Sequence, residues 1–278
     1  MLSSTLFVAT LLTLAFPPQD APDPATPSRA WDLTELDDDP DARARFVEAH
    51  AAPDDLFARI AVLGASVSAG HGLSAEAGRP VGFNDVFDAA LLGEHGDVHV
   101  HADWFFFDAN LARREALLRR ALERDPTLLV APDFLFWYAY GAVREEAMRP
   151  WMFDKALELL DEFPGTILVG DLPWLEASVG RSSGMIPGLQ PYQLPRRETV
   201  DTLNARLAAW AAARPHVVIV PLARFVRELI DEQPVHVGAN HWEAGPPERL
   251  LLSDWLHPTL EGASALALSC LHELRAAR

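Results

Sequence analysis

A serine that directly follows a short apolar segment is the first residue whose surroundings suit it to covalent chemistry. Ser66 lies in the segment Gly64-Ala65-Ser66-Val67-Ser68-Ala69-Gly70, which follows the apolar residues Ile60 to Leu63. A short apolar run that ends at a glycine is typical of a buried strand followed by a turn. Because ligands of α/β sheets bind beyond the carboxyl ends of the strands, this position predicts that Ser66 faces a substrate as a nucleophile.

A histidine and a carboxylate that suit this serine lie near the end of the sequence. Asp254 and His257 belong to the segment Asp254-Trp255-Leu256-His257-Pro258. At this spacing the carboxylate can bind one imidazole nitrogen and fix its tautomer, which leaves the other nitrogen to take a proton from a serine hydroxyl. The pattern predicts that Ser66, His257 and Asp254 act together in acyl transfer.

The two segments together resemble the SGNH (GDSL-like) hydrolase superfamily. Gly64 to Gly70 matches the block that carries the family's nucleophile, and Asp254-x-x-His257-Pro258 matches its C-terminal block. The resemblance covers residues 57–278. It implies a serine hydrolase in which Ser66 is the nucleophile, His257 is the general base and acid, and Asp254 is the orienting carboxylate.

The resemblance also implies donors for the oxyanion, and here the sequence departs from the family. The family uses the nucleophile's own amide, a glycine after the second strand and an asparagine after the third strand. Asp133 stands where the asparagine is expected, and the glycine position falls near Asp108, where no glycine is present.

Three arrangements are compatible with this departure, because an ionised Asp133 would repel an oxyanion. Burial among aromatic residues could keep Asp133 protonated and able to donate. Asn110 and the Ser66 amide could form the oxyanion hole instead. Alternatively, the protein lacks ester hydrolysis. In the last two arrangements, Asp133 can be a structural carboxylate that accepts amide hydrogen bonds at the end of a strand.

The rest of the sequence alternates between strand and helix patterns, which predicts an α/β fold. Five strands separated by helices imply parallel pairing with helices on both faces, a flavodoxin-like three-layer α/β/α sandwich with a five-stranded parallel sheet. The SGNH resemblance implies the same architecture. The predicted strands are Ile60 to Leu63, Asp97 to His101, Thr127 to Pro132, Thr166 to Gly170 and His216 to Val220. The predicted helices are Phe83 to Leu92, Asn110 to Leu122, Val143 to Phe163 with a break near Pro150, Thr199 to Ala213, Leu222 to Asp231 and Leu260 to Ala276.

The amino-terminal residues predict export rather than part of the core. Thr5 to Phe16 is an apolar run of signal-peptide length that is too short to cross a bilayer. We therefore predict a signal peptide at residues 1–18, a disordered linker at 19–30 and a single SGNH-hydrolase-like domain at 31–278, in a secreted or periplasmic protein. No Lys or Arg precedes Arg29, so a frayed amino terminus or a lipid-facing anchor is the alternative.

The charge of the chain limits the partners it can have. The sequence contains 40 Asp and Glu against 23 Lys and Arg, a formal net charge of −17. Nucleic acid and anionic membrane surfaces would be repelled by this field, so we expect a small-molecule or carbohydrate ester as partner and no stable membrane span. Aromatic residues at 104–107 and 134–140 can pack in the core, line an acyl pocket or stack on a sugar.

Histidine spacing alone does not predict a metal site. His99 and His101 alternate onto one face of a predicted strand, and His71 and His257 lie elsewhere in the sequence. A zinc site needs three or four ligands that converge from rigid positions. We predict no metal and no cofactor.

Three functions remain compatible with the sequence. The first is a serine esterase that hydrolyses a carboxylic ester, such as an acetylated carbohydrate or a short acyl lipid. The second is an acyltransferase that uses the same triad. The third is a non-catalytic carbohydrate-binding or scaffold protein on the same fold, which the aspartate at position 133 and the missing glycine would explain.

Overall fold

A computed structural model describes residues 56–278 of the chain, apart from 104–110, 142, 144 and 184–185. These residues all belong to one compact unit. The predicted signal peptide and linker lie outside the described residues. So do the oxyanion candidates Asp108 and Asn110 and the aromatic residues at 104–107.

A parallel sheet of five strands lies at the centre of the fold, as the strand and helix pattern predicts. In chain order the described strands are β1 (Ile60–Gly64), β2 (Val98–Ala102), β3 (Leu128–Ala131), β4 (Thr166–Gly170), β5 (Ser182–Ser183), β6 (Ile186–Pro187), β7 (Val217–Val220), β8 (Val235–Val237) and β9 (Asn240–Trp242). The central sheet has the order β2-β1-β3-β4-β7, and all of its neighbouring strands are parallel. The strand order therefore reverses between β1 and β3, and such a switch point leaves a crevice at the carboxyl ends of the strands.

Helices cover both faces of this sheet, which confirms the predicted three-layer α/β sandwich. In chain order the helices are α1 (Leu73–Ala77), α2 (Phe83–Ala90), α3 (Leu111–Leu122), α4 (Phe136–Ala139), α5 (Met148–Leu160), α6 (Arg197–Ala212), α7 (Leu222–Ile230) and α8 (Leu260–Ala276). Alternate residues of the strands point to opposite faces. In β1, Ala61 and Leu63 pack with α3, α5 and α6, whereas Ile60 and Val62 pack with α1, α2 and α8. Burial on both faces explains why the inner strands β1, β3 and β4 are apolar runs. The edge strand β2 is only partly buried and alternates Val with His.

The structure corrects one predicted helix and adds two short antiparallel strand pairs. The helix predicted for Val143 to Phe163 begins only at Met148, so Pro150 lies in its first turn. Backbone N–H groups in the first turn of a helix have no acceptor within the helix, so a proline there removes no helical hydrogen bond. The predicted break near Pro150 is therefore wrong. Neither the β5–β6 pair nor the β8–β9 hairpin was predicted from the sequence. The β8–β9 hairpin packs with α7 in a small separate cluster. None of the helices in the described ranges combines the length and the apolar character needed to cross a bilayer.

Candidate active site

The turn after β1 places Ser66 at the carboxyl edge of the sheet. Its backbone is closed by hydrogen bonds from the amide of Ala69 to the carbonyl of Ala65 and from the amide of His71 to the carbonyl of Ser66, each 2.9 Å long. Gly70 and Gly72 have φ angles of 75° and 82°, in the left-handed region that glycine adopts without strain. The chain therefore reverses within a few residues and leaves Ser66 8% exposed.

A hydrogen-bonded chain of three side chains joins this turn to the segment before α8. The Ser66 hydroxyl donates to His257 Nε2 over 2.8 Å, although the two residues are 191 positions apart. His257 Nδ1 donates to Asp254 Oδ2 over 2.7 Å. His257 and Asp254 are 5% and 1% exposed, so water has little access to these hydrogen bonds. The structure thus brings together all three residues that the sequence analysis selected.

Asp254 is held as an acceptor by the backbone as well as by His257. Its Oδ1 accepts hydrogen bonds from the amides of Leu256 and His257, at 2.9 and 3.0 Å. Burial alone would raise the pKa of Asp254, but the hydrogen bonds from His257 and its charge outweigh burial and hold this pKa below its usual value. An ionised Asp254 keeps a proton on Nδ1 of His257, so that Nε2 faces Ser66 as an acceptor.

The turn between Asp254 and His257 is braced by a distant loop. Trp255 has a φ angle of 53°, which an indole-bearing residue rarely adopts. The guanidinium carbon of Arg181 lies 3.4 Å from the centre of the Trp255 ring, and Ser178 Oγ donates to the Trp255 carbonyl over 2.8 Å. The indole nitrogen donates to Glu248 over 2.8 Å. These contacts hold Trp255 in a conformation that its backbone alone would not favour.

Asp133 lies beneath the Ser66 turn and accepts four hydrogen bonds from it. Oδ1 accepts from the Ala65 amide at 3.0 Å and from Ser68 Oγ at 2.5 Å. Oδ2 accepts from the amides of Val67 and Ser68, at 2.9 and 3.3 Å. Burial raises the pKa of Asp133, while these hydrogen bonds oppose that rise. With donors to both of its oxygens, Asp133 orients the turn that carries Ser66, as expected for a structural carboxylate at the end of a strand.

The backbone amide of Ser66 points to no protein acceptor among the described residues, whereas the amides on either side of it bind Asp133. An amide left free next to a nucleophile can donate to an oxyanion. The other predicted candidates, Asp108 and Asn110, lie outside the described residues, and their part in the site stays a prediction.

Two histidines pack against each other in the site. The rings of His71 and His257 have centroids 4.0 Å apart and planes inclined by 45°. Burial, and then the neighbouring His257, lower the pKa of His71 to about 4. From the sequence, His71 was expected at most as a metal ligand; its place between Gly70 and Gly72, directly after the Ser66 segment, is the signal that could have identified it.

The residues that could hold a metal ion are the same histidines and their carboxylate. In the described ranges, His71, Asp254 and His257 form one group whose ligand atoms lie within 4.8 Å of one another. Both ring nitrogens of His257 already bond to Ser66 and Asp254, so a metal ion would have to displace one of these partners. His99 and His101 do not belong to this group.

An apolar cavity of about 70 Å³ opens beside Ser66. Asp171 also lines it; burial raises the pKa of this carboxyl, whose Oδ1 accepts a hydrogen bond from the Ala223 amide at the start of α7. Five aromatic residues after β3 are buried, and one of them, Phe136, lines the cavity. The cavity can accept a small apolar group attached to an ester carbonyl at Ser66. Other lining residues are Pro132, Leu222, Val226, Leu256 and Leu266.

Comparisons with known proteins agree with this fold. No protein-family model matches the chain, and no curated protein matches it. The chain is similar to the solved lipase/acylhydrolase from Enterococcus faecalis, with a TM-score of 0.51 and 16% identity over 79% of this chain and 96% of that one. It is also similar to a GDSL-like lipase from Bacteroides thetaiotaomicron, with a TM-score of 0.43 and 15% identity over 82% of this chain and 93% of that one. The likeness to the Enterococcus faecalis structure confirms the predicted α/β/α fold of the SGNH-hydrolase type.

Proposed function

We propose that this protein is a serine esterase that hydrolyses a carboxylic ester through Ser66, His257 and Asp254. The observation that carries the proposal is the continuous hydrogen-bonded chain from the Ser66 hydroxyl through both ring nitrogens of His257 to Asp254. A serine with a base in direct contact, and a base with its own orienting carboxylate, is the arrangement that activates a serine hydroxyl for attack.

Each residue has a defined step in this reaction. Ser66 Oγ attacks the ester carbonyl carbon while its proton passes to His257 Nε2, and Asp254 stabilises the imidazolium that forms. His257 returns the proton to the leaving alcohol as the tetrahedral intermediate collapses to an acyl-serine. A water molecule then attacks the acyl-serine, again with His257 as base, and releases the carboxylic acid and free Ser66.

The negative charge of the tetrahedral intermediate needs donors near Ser66. We assign the Ser66 amide as one of them, because the amides on either side of it bind Asp133 while no acceptor in the described part of the chain binds its own N–H. Asp133 then serves catalysis by orienting this amide, with no role as a donor. We keep Asn110 as the second donor in the proposal. Loss of a single such donor typically slows an enzyme 100- to 1000-fold, roughly, so these groups matter as much as the base.

The substrate class follows from the cavity beside Ser66. Its lining is almost entirely apolar, and its volume is about 70 Å³, which suits a short acyl group. An acetylated carbohydrate or a short acyl lipid meets this requirement, because the acyl part is small and the alcohol part remains outside the cavity.

The test is the hydrolysis of p-nitrophenyl acetate and butyrate by the full chain and by Ser66→Ala, with a fluorophosphonate probe in parallel. We expect hydrolysis and stoichiometric labelling of the wild-type protein, and neither in Ser66→Ala at unchanged folding. Ser264→Ala is the matched control, because Ser264 is also buried but lies on α8 and bonds to the Leu260 carbonyl. Turnover that survives in Ser66→Ala would contradict the proposal. A folded wild-type protein that neither turns over nor labels would favour a non-catalytic binding protein.

A further inference from the structure

His71 is attached to both halves of the candidate site. Its amide donates to the carbonyl of Ser66, and its ring lies with its centroid 4.0 Å from that of His257. Its side chain is 5% exposed, so the contact between the two rings is shielded from water. Two residues of the Ser66 turn therefore touch His257: Ser66 through a hydrogen bond, and His71 through its ring.

The glycines on either side of His71 keep it in this place. A side chain at Gly70 would put its Cβ 2.6 Å from the Gly82 Cα, and one at Gly72 would put its Cβ 2.4 Å from Leu252 Cδ1. Leu252 belongs to the segment that carries Asp254, and its amide donates to the His257 carbonyl over 2.7 Å. The turn thus packs closely on the segment of the base, and His71 has little freedom to leave His257.

We propose that His71 is a positioning residue for the reaction at Ser66: its ring packs on the imidazole of His257 and holds Nε2 toward the Ser66 hydroxyl while Nδ1 stays bonded to Asp254. This inference rests on the proposed function. An imidazole linked to the chain through two rotatable bonds can turn away from either partner, and a neighbouring ring at van der Waals distance limits that rotation.

The charge state of His71 suits this role. Among the described residues, the titratable groups that act on the pKa of His71 are His257 and Asp254. Burial and His257 keep the pKa of His71 at about 4, so at neutral pH it presents an uncharged aromatic ring to the imidazole. When His257 takes the proton from Ser66, the new positive charge then lies beside an uncharged ring instead of a second cation.

The experiment compares His71→Ala with His71→Phe in the full chain. The alanine variant removes the ring, whereas phenylalanine restores an aromatic surface of similar shape. We expect His71→Ala to lower kcat for p-nitrophenyl acetate roughly 10- to 100-fold with little change in KM, because small misplacements of a catalytic group have effects of this size. We expect His71→Phe to recover most of the lost kcat. Equal kcat values in wild type and His71→Ala would overturn the inference.

A control variant separates positioning from general loosening of the turn. Leu73→Ala removes another fully buried side chain two residues along the chain, and Leu73 packs with α2 and α8. We expect Leu73→Ala to lower the melting temperature at least as much as His71→Ala while kcat stays near the wild-type value. If Leu73→Ala lowers kcat as much as His71→Ala, the positioning role is refuted.

A spectroscopic readout keeps this test independent of turnover. The proton between His257 Nδ1 and Asp254 gives a downfield proton resonance when the hydrogen bond is well ordered. We expect this resonance in wild type and His71→Phe and its loss or broadening in His71→Ala. An unchanged resonance in His71→Ala would refute the inference even if the wild-type protein hydrolyses no ester. A wild type that shows the resonance but neither turnover nor labelling would count against the proposed function alone.

Discussion

The carboxylate of Asp133 fills the space that a side chain at Gly64 would need. A Cβ built on Gly64 would lie 2.0 Å from Asp133 Oδ1 and 2.3 Å from Ser68 Oγ. Gly64 is the last residue of β1, two positions before Ser66. The absence of a side chain there lets a carboxylate from the end of β3 reach under the nucleophile turn and bind its amides.

Gly64→Ala should destabilise the protein, because the new methyl group and the Asp133 carboxylate cannot share this space. Overpacking in a well-packed site costs about 1–3 kcal/mol, and the displaced carboxylate adds to this. Chemical denaturation measures the loss. Gly93→Ala is the control, since a Cβ at Gly93 meets nothing within 4 Å. Equal stability of the two variants would contradict the close approach of Asp133.

Asp133→Asn should weaken both the fold and the reaction. One oxygen that accepts two hydrogen bonds would become an amide nitrogen, which leaves a buried N–H of the turn without an acceptor. An unsatisfied buried donor costs about 1–3 kcal/mol. We expect this loss in the free energy of unfolding, together with a lower kcat because the Ser66 amide is no longer oriented. A variant with higher kcat would instead indicate that position 133 donates to the oxyanion.

Arg181→Ala should lower kcat by loosening the turn that carries the base. The guanidinium packs on Trp255, between Asp254 and His257 in the chain, and such a contact stabilises by about 0.5–2 kcal/mol. We expect a several-fold loss of kcat and a small loss of stability. Arg206→Ala is the control, because Arg206 pairs with Asp154 at the surface far from this turn in sequence. Identical kinetics of the two variants would show that Arg181 has no such role.

The stability of the protein should depend on pH through His71. Its pKa is about 4 in the folded state and near 6.5 when unfolded, so the unfolded chain binds a proton first as the pH falls. The contribution of His71 to the free energy of unfolding is complete above about pH 6.5. It falls by about 3 kcal/mol as the pH is lowered to 4. Chemical denaturation at pH 7 and at pH 4 measures this change. The free energy of unfolding should decrease less between these pH values in His71→Phe than in the wild type. Parallel decreases would contradict the lowered pKa.

Val226→Phe should shorten the acyl chains that the site accepts. Val226 lines the cavity beside Ser66, and the larger ring would occupy part of its volume. Each methylene excluded from an apolar site costs about 0.8 kcal/mol, or roughly fourfold in kcat/KM. We expect the ratio of butyrate to acetate turnover to fall. Val100→Phe adds the same volume at an exposed position and should leave the ratio unchanged. An unchanged ratio in Val226→Phe would mean that the acyl group binds elsewhere.

Local sequence patterns predicted most of the fold, because strands buried on both faces are apolar runs and amphipathic helices have a regular period. β4 begins and ends where predicted, and α8 does so as well. The β8–β9 hairpin was missed because its strands have three residues each, too few for a recognisable period. The predicted start of α5 was five residues too early, because a proline occurs both in the first turn of a helix and where a helix is interrupted, and the sequence does not separate the two cases.

The strand that ends before Ser66, the spacing of Asp254 and His257, and a parallel sheet that could bring them to one edge were all predictable from local sequence patterns. Which side chains meet at that edge was not, because it depends on how distant elements pack. Asp133 is a neighbour of the Ser66 turn because β1 and β3 pair side by side. His71 contacts His257 because α8, which follows His257, packs with α1, which follows the turn. Contacts between residues so far apart in the chain depend on how the elements pack, and packing leaves no periodic trace in the sequence of either partner.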